Sequence, residues 1–259
     1  MEKRVLEYLN DQYKKVDCLK KSRRGTVWLA REISTGQYVI WKQVKLTGLP
    51  YKLLKQNPDS LWPRVKYCAE DSEAGDTVVI EEFNSGVTLG EIVAQGKRLD
   101  EENALKILLR LCDGLSRLHA LGIIHRDIKP DNLKIFKGDV YLLDFDASRE
   151  YSGEKDTDTT VIVTRRYAPP EQFGCGETDA RSDIYALGRT LQELLGEDYD
   201  GRLKPILEKC TAFSPEDRYR SIAELKKDLE DEPWDFWKKV GIGVGGILLL
   251  GKIFFDDDN

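Results

Sequence analysis

The chain has 259 residues, 41% of them hydrophobic, enough for one sizeable core or two smaller lobes around a cleft and too much for a disordered chain. Its formal net charge of -6 argues against a nucleic-acid-binding domain, whose footprint is a basic surface, although the local run Lys20, Lys21, Arg23 and Arg24 stands as a candidate anion site. Five cysteines (Cys18, Cys68, Cys112, Cys175, Cys210) without a CxxC pair, beside only two histidines, argue against a disulfide framework or a zinc site and fit a reducing, cytosolic setting.

The opening stretch MEKRVLEYLND has no apolar run and is not a secretory signal peptide. From residue 13 to about residue 83 the pattern predicts strands. VDCLKK, GTVWLARE, QYVIWKQV, RVKYCAE and DTVVIEEF are short, rich in β-branched and aromatic residues, and separated by Gly, Asp, Ser or Thr. STG at 34–36 reads as a hairpin turn, and residues 51–57, enclosed between Pro50 and Pro58, allow only a short helix. From residue 89 helical periodicity takes over. ALKILLRLCDGLSRLHALG sets Leu105, Leu108, Leu109, Leu111, Leu115 and Leu118 on one broad apolar face, and further helices are read in SDIYALGRTLQELLG, RLKPILEKC and SIAELKKDLE. A small β-rich half thus precedes a larger α-rich half, and two lobes imply a cleft between them.

The chemistry concentrates at 125–132, HRDIKPDN, and at 144–146, DFD. The first is a loop after the long helix; the second ends a hairpin made of LKIF and VYLLDFD. A loop so placed points Asp127, Lys129 and Asn132 into the cleft, and the hairpin brings Asp144 back to face them. Asn132 and Asp144 then offer two hard oxygen ligands beside a third carboxylate free to accept a proton. Mg²⁺ carrying a phosphate suits such a site, because it keeps several waters and takes one or two carboxylates from protein. The chemistry called for is phosphoryl transfer.

With those residues in place, the chain from residue 13 to about residue 230 resembles the eukaryotic-like (Hanks-type) Ser/Thr protein kinases, which bacteria also carry. The fold this implies is α+β: a bilobal protein kinase fold with a β-rich N-lobe at 13–83 and a larger α-helical C-lobe at 84–230, after an N-terminal extension at 1–12. The resemblance implies that Asp127 orients or deprotonates the substrate hydroxyl, Lys129 steadies the γ-phosphate, and Asn132 with Asp144 holds Mg²⁺, with Mn²⁺ as the alternative ion. It also implies an ATP pocket built from Lys42, Gly25, Val27, Ile40, Glu81, Phe83 and Lys134, with Lys42 on the α- and β-phosphates, Ile40 above the adenine and Lys134 below it. YAPPE at 167–171 resembles the end of an activation segment, with Glu171 pairing Arg218; Asp183 supports the catalytic loop from beneath, and His125 is a packed core residue. Thr157, Thr159 and Thr160 are candidate phosphorylation sites whose phosphate would pair with Arg126, and Thr164 is read as structural.

The first half departs from the family. Where GxGxxG is expected the chain reads Lys20-Lys21-Ser22-Arg23-Arg24-Gly25, so cations stand where glycines let backbone amides approach the phosphates. The family's strand lysine pairs with a glutamate on the following helix, but residues 43–58 hold no acid, so Lys42 is expected to turn to Asp144, Asp59 or Glu70. DFD replaces DFG. Two readings follow: a Ser/Thr kinase acting on protein hydroxyls and on itself, or a pseudokinase scaffold with impaired nucleotide binding. A small-molecule phosphotransferase, of the aminoglycoside or choline type, is disfavoured by IKPDN, YAPPE and SDIYALG.

After a linker at 231–239 carrying Trp234, Lys238 and Lys239, residues 240–255 are apolar apart from Lys252, and DDDN at 256–259 follows as an acidic tail. As a helix those 16 residues span roughly 24 Å, close to the ~30 Å of a hydrocarbon core once Trp234 and a snorkelling Lys252 are counted. The expectation is a single-pass anchor in the cell membrane with the kinase on the cytoplasmic side, as the preceding lysines require. Gly241 and Gly245 are spaced as GxxxG, a weak signal for helix pairing that leaves a homodimer as one option and the oligomeric state open.

Overall fold

The computed structural model describes residues 3–150, 166–173 and 178–231. The chain opens with helix α1 (Lys3–Gln12), followed by β1 (Tyr13–Ser22), β2 (Gly25–Glu32), β3 (Tyr38–Val44), a short helix α2 (Tyr51–Gln56), β4 (Val65–Asp71) and β5 (Asp76–Glu82). The five strands form one antiparallel sheet in the order β1-β2-β3-β5-β4. Period-two alternation decides what each face does. Val39 and Trp41 of β3, with Val78 and Ile80 of β5, bury against Leu9 of α1. Ile40, Lys42 and Glu81 therefore point to the other face, which borders the cleft. The amphipathic helix α1 is thus part of the small lobe's core; its apolar residues Val5, Leu6 and Leu9 are too few and too spread to read as more than an extension in the sequence.

The larger half comprises β6 (Val87–Thr88), α3 (Leu89–Ala94), α4 (Glu101–Ala120), β7 (Ile123–Ile124), β8 (Leu133–Phe136), β9 (Asp139–Leu142), β10 (Arg149–Glu150), α5 (Ala180–Leu195), α6 (Lys204–Cys210) and α7 (Ile222–Asp231). Helix α4 starts where Asp100 caps the Asn103 amide at 2.7 Å, and its buried stripe Leu105, Leu108, Leu111, Leu115, Leu118 is the apolar face read from the sequence. One hydrophobic cluster runs from Leu54 and Val79 of the small lobe through this stripe to Leu229 of α7.

The stretch between α2 and β4 ties the halves together. The Leu61 side chain occupies the space that a Cβ on Gly114 of α4 would enter, 2.1 Å from its Cδ2, and the Leu61 carbonyl accepts the Leu142 amide at 2.7 Å. Asp59 pairs with Arg117, whose Nη2 donates at 2.9 Å, and Ser60 accepts from Arg110 at 3.0 Å. These contacts fix the segment leading into β4 to the long helix. No helix among the described residues is long and apolar enough to cross a membrane, and residues 240–255 lie outside them.

Candidate active site

The cleft between the lobes measures about 830 Å³, within the range of small-molecule sites. Its lining includes every residue singled out for ATP, metal or catalysis: Gly25, Val27, Ile40, Lys42, Glu81, Phe83, Asp127, Lys129, Asn132, Lys134 and Asp144.

The floor is assembled by the turn after β7. The Asp183 carboxylate, fully buried at the head of α5, accepts the His125 and Arg126 amides at 2.9 and 2.8 Å and His119 Nε2 at 2.8 Å. Burial raises the cost of its charge, but these donors outweigh it and hold the carboxyl below the ordinary aspartate value. The loop backbone is bent hard enough to put Arg126 at φ 69, a conformation that L-residues adopt at a cost of order 1–3 kcal/mol. His125 is buried, its ring edge-on to Phe145 at 4.7 Å, and burial lowers its pKa, which suits the packed role read for it.

At the loop's tip Lys129 Nζ donates to Asp127 Oδ2 at 2.6 Å, and Asn132 Nδ2 donates to the same oxygen at 3.0 Å and to the Asp127 carbonyl at 2.8 Å. With its N–H donors so used, Asn132 is left with its amide oxygen as a ligand atom. Asp144 follows β9 at φ 65 and is mostly buried; its Oδ1 has no hydrogen-bond partner among the described residues. Such an atom is costly to bury unless something positive meets it. Burial pushes its pKa up, but Lys42 and Lys20, the latter 3.9 Å away, win and keep it ionised. An ionised carboxylate with an orphaned oxygen, beside an amide oxygen and a phosphate-sized space, fits a Mg²⁺–nucleotide.

The roof departs from the expected pairing. Lys42 meets neither Asp59 nor Glu70: the first binds Arg117, and the second accepts the Gly48 amide at 2.8 Å. Instead Lys42 Nζ lies 3.0 Å from Glu81 Oε1, and it donates to the Tyr51 hydroxyl at 3.1 Å. Tyr51 in turn donates to Asp146 at 2.5 Å, so the aspartate in place of the expected glycine is used as an acceptor. Burial works against the Lys42 ammonium, but Glu81, Tyr51, Asp146 and Asp144 outweigh it and hold its pKa well above the usual lysine value. Burial pushes Asp146 itself up to about 6. Glu81, expected at the nucleotide, is thus committed to the lysine. Signal for this existed in the sequence: Val79 and Glu81 share a strand face with Lys42 across the sheet once the antiparallel register is written out. Tyr51 carried no such signal.

Gly25 is required by packing as much as by any ligand. Its φ of +149° and the Gln43 carbonyl, 2.2 Å from where a Cβ would sit, leave no room for a side chain. Lys134 reaches the Asn84 carbonyl at 3.0 Å along the cleft's lower edge. Glu171 and Arg218 form a buried two-pronged pair at 2.7 and 3.0 Å. Thr157, Thr159, Thr160 and Thr164 lie outside the described residues.

The chain matches the protein kinase domain family over residues 64–234, a span that starts beyond β3 and α2. It is similar to the serine/threonine-protein kinase PknB of Mycolicibacterium smegmatis, 28% identical over 269 residues, covering 86% of this chain and 43% of the relative. PknB of Mycobacterium tuberculosis is 27% identical over 268 residues with the same coverage. The serine/threonine-protein kinase PknL of Mycobacterium tuberculosis is 36% identical over 119 residues, 45% of this chain and 30% of the relative. The chain therefore spans less than half the length of these relatives.

Proposed function

This chain belongs to the protein kinase domain family, and from that premise we propose that it transfers the γ-phosphate of ATP to serine or threonine hydroxyls of proteins, itself included. The observation that carries the reading is the convergence of Asp127, Lys129, Asn132 and Asp144 on one face of the cleft. Asp144 and Asn132 would hold Mg²⁺ or Mn²⁺, which would supply the positive charge that offsets the charge of the phosphates. Asp127, aligned by the Lys129 and Asn132 hydrogen bonds, accepts the proton of the attacking hydroxyl, while the Lys129 ammonium balances charge on the transferred group. Lys42 holds the α- and β-phosphates from above. Lys20, Arg23 and Arg24, which border the cleft where glycines are expected, supply charge rather than backbone amides.

We further propose that residues 240–255 anchor the kinase in the cell membrane, with the catalytic part cytoplasmic and membrane helices pairing through Gly241 and Gly245. Labelled phosphate transfer from Mg-ATP, compared between the full chain and Asp127→Asn, tests the activity; a loss of about 10²-fold or more on substitution is expected for a lost proton acceptor. No incorporation by a folded wild-type chain would favour the scaffold reading. Repeating the assay and a membrane flotation without the last twenty residues tests the anchor: activity persists and flotation is lost.

A further inference from the structure

A buried lysine that must meet phosphates needs an anion to fix its ammonium, and α2, the helix after β3, carries no acid. In this chain the anion comes from the sheet. Strands β3 and β5 are antiparallel, with Ile40 opposite Glu81 and Lys42 opposite Val79, so Lys42 and Glu81 are diagonal neighbours on the cleft face. Both are buried, at 5% and 6% exposure, and their charged atoms are 3.0 Å apart. The groups facing the ammonium are Glu81 from β5, Tyr51 from α2, and Asp144 and Asp146 from the segment after β9. Tyr51 adds a neutral hydroxyl and passes the contact on to Asp146.

We propose that Glu81 is the positioning residue that sets Lys42 for the nucleotide's α- and β-phosphates, replacing the glutamate that a following helix would supply. The inference rests on the kinase reading and deepens it. Strand register is fixed by a ladder of backbone hydrogen bonds, whereas the place of a six-residue helix against the sheet depends on its side chains. A pair built inside one sheet therefore keeps the lysine in place wherever α2 sits. Tyr51, borne by α2, links that pair to Asp146 without supplying a charge of its own.

The test uses the full chain with Glu81→Gln and, for comparison, Tyr51→Phe. The first readout needs no nucleotide: the rate at which Lys42 is acylated at pH 8 by an amine-reactive ester, followed by mass spectrometry. Each unit lost from the lysine pKa raises its neutral fraction about tenfold, so Glu81→Gln is expected to speed acylation by about that factor or more, and Tyr51→Phe by much less. The second is kinetic: KM for ATP rises about tenfold in Glu81→Gln while KM for the protein substrate stays put. If wild type shows no phosphotransfer the kinase reading fails, and the acylation rates still decide the pairing. Wild-type acylation and wild-type KM in folded Glu81→Gln overturn the proposal. Should Glu81→Gln not fold, the double variant Lys42→Met with Glu81→Met decides: a cooperative melt that the single Glu81→Met lacks supports the pairing, and additive losses overturn it.

Discussion

Asp127, Lys129, Asn132 and Asp144 could be placed from sequence because they lie within eighteen residues of one another and their chemistry is redundant only at a phosphate site. Glu171, Asp183 and Arg218 were equally legible, and the hydrogen bonds they make are those the resemblance implies. The Lys42 partner was not. With no acid on the following helix, Asp144, Asp59 and Glu70 are the partners the sequence suggests, and only the strand register reveals that Glu81 shares its face. At this scale the buried Arg218–Glu171 pair gives a sharp expectation. Arg218→Met strands the Glu171 carboxylate in the interior, where among the described residues only Ser182 would still donate to it, at 2.9 Å. Removing one member of a buried pair costs about 3–5 kcal/mol, which urea denaturation of the variant should register as a lower midpoint. An unchanged midpoint would mean that the pair is matched by solvent in some way that its burial does not show.

Among elements, the long helices and the sheet strands were readable because each carries several turns or several alternations of pattern. The two-residue strands β7 and β10 were not, since Ile123–Ile124 and Arg149–Glu150 pair only because tertiary packing brings them together. The start of α3 shows how local chemistry sets a boundary. Thr88 accepts the Glu91 amide at 3.1 Å while the Glu91 carboxylate accepts the Thr88 amide at 2.7 Å, a reciprocal cap. Thr88→Ala should lower stability by about 1 kcal/mol, measured by thermal melting, and a Ser replacement should recover most of it. Helix α4 offers a packing counterpart. Gly114→Ala drives a methyl into Leu61, the residue that clips the small lobe to the large one, and overpacking of this kind costs typically about 1–3 kcal/mol. Combining it with Leu61→Ala, which opens the space, should return part of the loss; strict additivity would show that the two do not share that contact.

For the molecule as a whole, acid is the informative variable, because the catalytic floor hangs from one buried carboxylate. The folded pKa of Asp183 lies below its unfolded value of 3.8, so its contribution is complete above that pH and disappears as pH falls through the folded value. The stability gap between wild type and Asp183→Asn should accordingly close as pH falls below about 4. Buried, neutral His125 adds a separate slope: below 6.5 the unfolded chain takes up a proton that the folded chain refuses, so wild type weakens there first. Lobe division and cleft were legible from the switch between two-residue and helical periodicity. The size of the cleft and the sheet-borne partner of Lys42 were not, because both depend on register between distant strands.

The central claim is that Asp144 and Asn132 grip one divalent ion together with a nucleotide while Asp127 stands beside it. Electron paramagnetic resonance of Mn²⁺ titrated into the full chain, with and without a non-hydrolysable ATP analogue, tests it most directly. The account predicts one tightly bound Mn²⁺ per chain that depends on nucleotide, lost in Asp144→Ala and in Asn132→Ala and kept in Asp127→Asn. Nucleotide-independent binding, or binding that survives Asp144→Ala, would contradict it.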